Sequence, residues 1–117
     1  MVDLDRLMAL DGALAAFEMN DRGELQQHRL AEGSVLDERT LDLLGHMCVA
    51  NMAIATMQAR GWEASFGDQG FYPVTGFTLV GLKWSTVTNG HHAVVVSRDS
   101  AGYEETYEVL GVGGGAA

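Results

Sequence analysis

The residues of this chain with the greatest chemical reach are four histidines, one cysteine and a scatter of carboxylates. Their spacing decides what they could do. His91 and His92 are adjacent, beside an Asn-Gly pair, while His28 and His46 stand elsewhere in the chain. Two imidazoles could begin a zinc site, but neighbouring residues of a strand point to opposite faces of a sheet. The pair therefore reads as hairpin histidines, and no metal ligand is expected. A reactive thiolate needs a nearby cation or a helix N-terminus. Cys48 has no Lys or Arg on the adjoining turns and lies on an apolar stripe, so an inert buried thiol is expected. Asp42 and His46 are four residues apart and can pair on a helix surface. Glu104, Glu105 and Glu108 read as a solvated helix face. The Gly-Val-Gly-Gly-Gly run from Gly111 is not a phosphate loop, because no strand leads into it and no helix follows. No triad, paired-carboxylate site or phosphate cradle emerges. The expectation is a protein that is not an enzyme, with no catalytic residues, no cofactor and no metal.

Composition narrows the class further. A chain of 117 residues sets a prior of one domain with a real core. A net charge of −9, with seven scattered basic residues, disfavours nucleic acid and anionic membrane surfaces as partners. No apolar run is long enough to span a bilayer. The opening Met-Val-Asp-Leu-Asp-Arg-Leu carries acids where an export signal would carry bases. A lone cysteine excludes an internal disulfide, and a cytoplasmic location is expected.

The informative feature is architectural. Residues 34–61 read as one long helix, with Ser34 as N-cap, Asp37 and Glu38 at the positive end of the helix dipole, and Gly61 as the stop. It carries two apolar stripes. One is Leu41, Leu44, Cys48, Met52, Ala55 and Ala59; the other is Leu43, Met47, Ala50, Ile54 and Met57. A sheet covers one stripe of about 100°, so the second needs another partner. Which stripe takes the sheet is left open by the sequence, with the Leu41–Ala59 stripe preferred.

Around this helix the chain reads in short elements. Asp3 caps a first helix to Leu10. Gly12–Met19 and Glu24–Leu30 form a hairpin about Asn20-Asp21-Arg22-Gly23, with Ala13, Ala15, Phe17 and Met19 on one face. The second strand is polar enough to be an edge. Residues 62–72 read as an irregular aromatic loop. Strands follow at Val74–Val80, Lys83–Thr88 and His92–Ser97, the last two joined by a two-residue primed turn at Asn89-Gly90. Ser100 would cap a helix at Ala101–Leu110, and residues 112–117 read as a disordered glycine-rich tail after a single domain at 1–111.

The opening VDLDRLMALDGALAAFEMNDRGEL and the helix core HMCVANMAIATMQ resemble the Roadblock/dynein light chain family, in an uncharacterised prokaryotic branch. The resemblance implies an α+β sandwich related to the profilin-like and longin folds. A five-stranded antiparallel sheet in the order 2-1-5-4-3 would carry the long helix and two short terminal helices. It also implies a homodimer that presents a composite surface to a protein partner, with small GTPases and signalling or metabolic complexes as the partner classes. The candidate dimer contacts are Leu43, Met47, Ala50, Ile54 and Met57 on the helix and Val74, Gly76, Thr78 and Val80 on the third strand. An alternative reading is a small-molecule sensor, with a pocket lined by Trp62, Phe66, Phe71, Tyr72 and Trp84.

Overall fold

A computed structural model describes residues 2–112. The elements run α1 (Leu4–Met8), β1 (Ala13–Met19), β2 (Leu25–Leu30), α2 (Glu38–Phe66), β3 (Phe77–Val80), β4 (Trp84–Thr88), β5 (His92–Ser97) and α3 (Tyr103–Leu110). The strands form one antiparallel sheet in the order β2-β1-β5-β4-β3, as expected. Alternation along the central strands divides the interior into two cores. Ala15, Phe17, Met19, Ala93 and Val95 face α2 with Leu36, Leu41 and Cys48. Ala16, Val87, Val94 and Val96 face the terminal helices with Leu4, Leu7 and Leu110. Both faces of the sheet are therefore covered.

The expected face of β1 holds from Ala15 onward and fails at Ala13. Ala13 pairs with Val96 while Ala15 pairs with Val95, so Leu14 is an extra residue in the ladder. Such a bulge switches the faces on either side of it. Ala13 consequently packs with the terminal helices, and Leu14 with the α2 core.

The cap of α2 is Asp37, not Ser34. Its carboxylate accepts the amide of Thr40 at 2.8 Å, while the Ser34 hydroxyl accepts that of Leu36 at 3.1 Å. The amide bond from Thr40, first of all, holds the Asp37 carboxyl below the usual carboxylate range. Leu36 is buried in the core, and the backbone is still extended at Asp37, so the helix cannot start at Ser34. The helix also runs five residues past Gly61. A side chain at Gly61 would meet only open space, so this glycine is a tolerated weakness and not a stop. Gly67, at φ +79°, ends the helix instead. Residues 62–66 are thus helical, and only 67–76 form the irregular aromatic segment. By length and composition α2 is long and apolar enough to cross a membrane. Scanning for apolar runs misses this because Gly45, His46, Asn51 and Thr56 interrupt them, although no charged residue falls between Leu43 and Ala59. In this fold α2 lies on its own sheet, with Leu41, Gly45, Cys48 and Ala59 buried.

β3 begins at Phe77, three residues later than Val74. Gly76 packs against the carbonyl oxygen of Thr88 and the side chain of Val112, so the chain there runs too close to β4 and to Val112 to carry a side chain. α3 starts at Tyr103 with Gly102 at the cap position and no side-chain capping bond, so Ser100 does not cap it. Val112 donates its amide to Tyr107 and packs on the α3 core, which places it within the fold and not in the tail. The rest of the expected tail, 113–117, lies outside the described residues.

The β4–β5 connection is closed by side chains. Only Gly90 has positive φ there, so the expected primed turn with two left-handed residues does not form. Instead the Asn89 side-chain oxygen accepts the amides of His91 and His92 at 2.9 and 2.8 Å, and its nitrogen donates to the Leu110 carbonyl at 3.0 Å. One side chain thus ties this turn to the end of α3. Replacing Asn89 with Ala is expected to cost about 2 kcal/mol, as three bonds, two of them part-buried, are lost at once. Urea unfolding would show it, and an unchanged midpoint would remove the tie's importance.

Candidate functional site

The side chains singled out for chemistry do not converge. Among the described residues no group of three His, Cys, Asp or Glu side chains could hold a metal ion. His91 is exposed, and His92 lies 3.7 Å from Glu18 on the α1 side of the sheet. Burial holds the His92 imidazole below its ordinary value, more than Glu18 lifts it and with His91 adding to the fall. At neutral pH the contact is accordingly a dipolar one. His46 Nδ1 donates to the backbone carbonyl of Asp42 at 2.7 Å and lies 3.8 Å from its carboxylate, the helix-surface pair expected, and the same carboxylate accepts the Leu25 amide at 2.9 Å. Asp42 is therefore a strut between α2 and the first hairpin.

Cys48 is 3% exposed, and burial pushes its thiol up to about 11, against a small opposing effect from Thr88. The folded protein is expected to resist alkylation at pH 8 and to react fully in denaturant; rapid labelling of the native chain would refute the burial. The sign of the linkage follows from the raised value. Stability is complete below the unfolded thiol value near 9 and falls as pH climbs from there towards 11, because only the unfolded thiol ionises in that window.

What the structure does assemble is surface. On α2, Leu43, Met47, Ala50, Ile54 and Met57 are all exposed, with Leu43 at 60%, Met57 at 67% and Ile54 at 50%. At 3.6 residues per turn they lie roughly 140° round from the buried Leu41–Ala59 stripe. The exchanged assignment, with Leu43–Met57 on the sheet, does not occur. The third-strand candidates divide. Thr78 and Val80 lie in β3, the outer strand, with the Thr78 hydroxyl bonded to that of Tyr107 at 3.1 Å and Val80 57% exposed. Val74 and Gly76 precede the strand, so the edge available for pairing is four residues long.

The aromatic residues of the alternative reading also divide. Trp62 and Phe71 meet edge to face with ring centroids 5.4 Å apart. They help line a groove of about 420 Å³ with Ala55, Gln58, Val74 and Gly76, at the foot of β3. Tyr72 instead receives Arg60 on its hydroxyl at 3.2 Å, Phe66 stands 74% exposed at the helix end, and Trp84 lines a separate recess of about 210 Å³ with Leu36, Leu44 and Leu79. The expected five-residue pocket does not exist as one site. Sequence reading missed Ala55 and Ala59 as groove walls because they belong to the sheet-facing stripe. That stripe overhangs the sheet, and its continuation is Trp62 and Phe66.

The sequence matches the family described as uncharacterized conserved protein (DUF2173) over residues 3–112. The chain belongs to the DUF2173 family. No curated protein matches it in sequence. Three solved structures give the DUF2173 fold its relatives. A Roadblock/LC7 domain from Streptomyces avermitilis superposes with a TM-score of 0.63 at 16% identity, covering 91% of this chain and 84% of that one. Gliding protein MglB from Thermus thermophilus gives 0.65 at 15%, covering 92% and 82%. A structure described as MglB with tetrameric arrangement gives 0.65 at 15%, covering 97% and 87%. This DUF2173 chain therefore has the Roadblock/LC7 fold, in agreement with the resemblance read from its opening and its helix core.

Proposed function

We propose that this protein is a non-catalytic homodimeric scaffold or regulator that works in the cytoplasm by offering a composite surface to a protein partner. One observation carries the reading: five apolar side chains of α2 stand exposed on a helix whose opposite face already has its sheet. A contiguous apolar patch of this kind marks an association surface. The described tetrameric arrangement of MglB supports self-association as a use of this fold. The open β3 edge supports it too, since an unpaired strand is a pairing template. A lone buried thiol suits a reducing compartment. Light scattering should return twice the chain mass of 12.5 kDa. Affinity capture from native cells, repeated with GDP and with a GTP analogue, then tests the small-GTPase class of partner. Capture that ignores the nucleotide would move the proposal to another class. The groove beneath Trp62 and Phe71 favours a second reading, a sensor of small apolar molecules. Such a ligand at a hundredfold excess over Kd would stabilise the fold by about 2.7 kcal/mol, readable as a rise in Tm.

A further inference from the structure

The face of the sheet turned away from α2 is apolar along most of its centre, where Ala16, Val87, Val94 and Val96 pack with the terminal helices. One row breaks that pattern. Glu18 of β1 pairs with Gln27 of β2 on one side and with His92 of β5 on the other. Paired residues share a face, so three polar side chains stand abreast there. This row is the floor of a recess of about 590 Å³, which α1 walls with Leu4 and Arg6. We propose that the recess binds a small zwitterion of the α-amino-acid class, its carboxylate on Arg6 and its ammonium on Glu18.

The charges left unmatched around the recess decide the ligand. Arg29 also lines it, but that guanidinium is engaged by Asp5 at 3.3 Å and by the His28 carbonyl at 3.0 Å. Asp3 accepts the Asp5 amide at 2.9 Å as the cap of α1. Arg6 is exposed, and its side chain has no partner among the described residues. The Glu18 side chain is 34% exposed, and its one ionisable neighbour is the His92 imidazole at 3.7 Å, too far for a hydrogen bond. Burial keeps that imidazole uncharged at neutral pH, so the carboxylate is not neutralised. One cation and one carboxylate thus stand unmatched in a single recess. A phosphate or a dicarboxylate would be repelled by Glu18 and Asp3, and a polyamine by Arg6 and Arg29. A simple ion of either sign would leave the opposite charge without a partner. A zwitterion answers both with charge-assisted hydrogen bonds, and the Gln27 amide, donor and acceptor at once, can serve either end. Val2 and Leu4 give the lining its apolar part, which suits a small apolar side chain on the ligand.

The test is an NMR titration of the isotope-labelled full chain with L-valine, and with isovalerate and isobutylamine, which each keep one of its two charges. Valine should move the amide signals of Glu18, Gln27 and His92 and saturate, while each half-ligand binds about tenfold more weakly. Glu18→Gln should erase the advantage of valine over isovalerate, and Arg6→Gln its advantage over isobutylamine. Neither side chain is fully buried, so both variants should keep the fold, which circular dichroism checks. A merely structural role for either residue would weaken all three ligands alike and overturn the assignment. Isovalerate binding as tightly as valine would make this an anion site and also overturn it. So would signals that stay still at millimolar concentrations of valine and of the other common L-amino acids. The recess lies on the opposite face of the sheet from the exposed stripe of α2, so Ile54→Glu should bind valine as the wild type does. Loss of binding in that variant would place the ligand at the association surface and refute this site, whereas a wild type that is monomeric yet binds valine would keep it.

Discussion

Replacing Ile54 with glutamate is expected to turn the dimer into a monomer at micromolar concentration while leaving the helical signal intact. Ile54 is half exposed and Met47 is 44% exposed in the single chain, so a charged side chain at either place meets water there and costs the fold little. Across a two-fold contact each introduced carboxylate would lie against apolar side chains with no cation to receive it. Burying an unpaired carboxylate costs several kcal/mol, and symmetry imposes the cost twice. That is enough to carry a submicromolar Kd well beyond the working concentration, since each 1.4 kcal/mol is about tenfold. Leu30→Glu is the control. Leu30 is 40% exposed on β2, at the opposite edge of the sheet, and its replacement should leave the mass unchanged. Light scattering of the three proteins side by side decides the matter. A wild type that scatters as a monomer at high concentration would sink the association reading, and the exposed stripe would need a different partner.

The parts of the fold that were legible in the sequence are those in which local chemistry and tertiary demand agree. His92–Ser97 begins and ends as its alternation predicts, because Ala93 and Val95 face one core while Val94 and Val96 face the other. The first hairpin is set by Asn20, whose side chain takes the amides of Arg22 and Glu24, and by Gly23 at φ +86°. The strand order follows from such turns and from the one long connection. Boundaries set by distant contacts were not legible. Asp37 displaces Ser34 as the cap because Leu36 is drawn into a core that local sequence does not reveal. Gly61 resembles a stop, yet nothing near it in space enforces one, and helix periodicity runs on through Trp62 to Phe66. The late start of β3 depends on Gly76 meeting Val112 from the far end of the chain. The same holds for the surface. The outward stripe of α2 was visible in its periodicity, whereas the groove needs the overhang of α2 beyond the sheet, which no local pattern encodes. Aromatic character alone groups Phe66, Tyr72 and Trp84 with Trp62 and Phe71, and the fold sends them to three different places.

The seating of α2 on the first hairpin sets up the second large effect: Gly45→Val is expected to lower stability by about 3 kcal/mol. Gly45 is the buried helix residue opposite Gly23, and the two backbones touch there without side chains between them. A Cβ at position 45 would stand 2.6 Å from the Gly23 carbonyl oxygen and 3.4 Å from the Cβ of Met19. The reciprocal change is no easier, since a Cβ on Gly23 would stand 2.6 Å from the Cα of His46. The atoms in the way are mainly backbone, so no side chain can rotate aside, and α2 must lift from the hairpin. Lifting it would stretch the bond from the Leu25 amide to Asp42 and open the core around Met19 and Leu41. Overpacking a tight site costs about 1–3 kcal/mol, and loss of these neighbours places this one at the upper end. Alanine at 45 should cost less, because the roughly 1 kcal/mol gain in helix propensity over glycine offsets part of the clash. The expected order of unfolding midpoints is wild type, then Gly45→Ala, then Gly45→Val, with the valine variant's Tm lower by about 10–20 °C. A Gly45→Ala protein more stable than wild type would show that helix and hairpin are not in backbone contact, and Asp42 would then be the only strut between them.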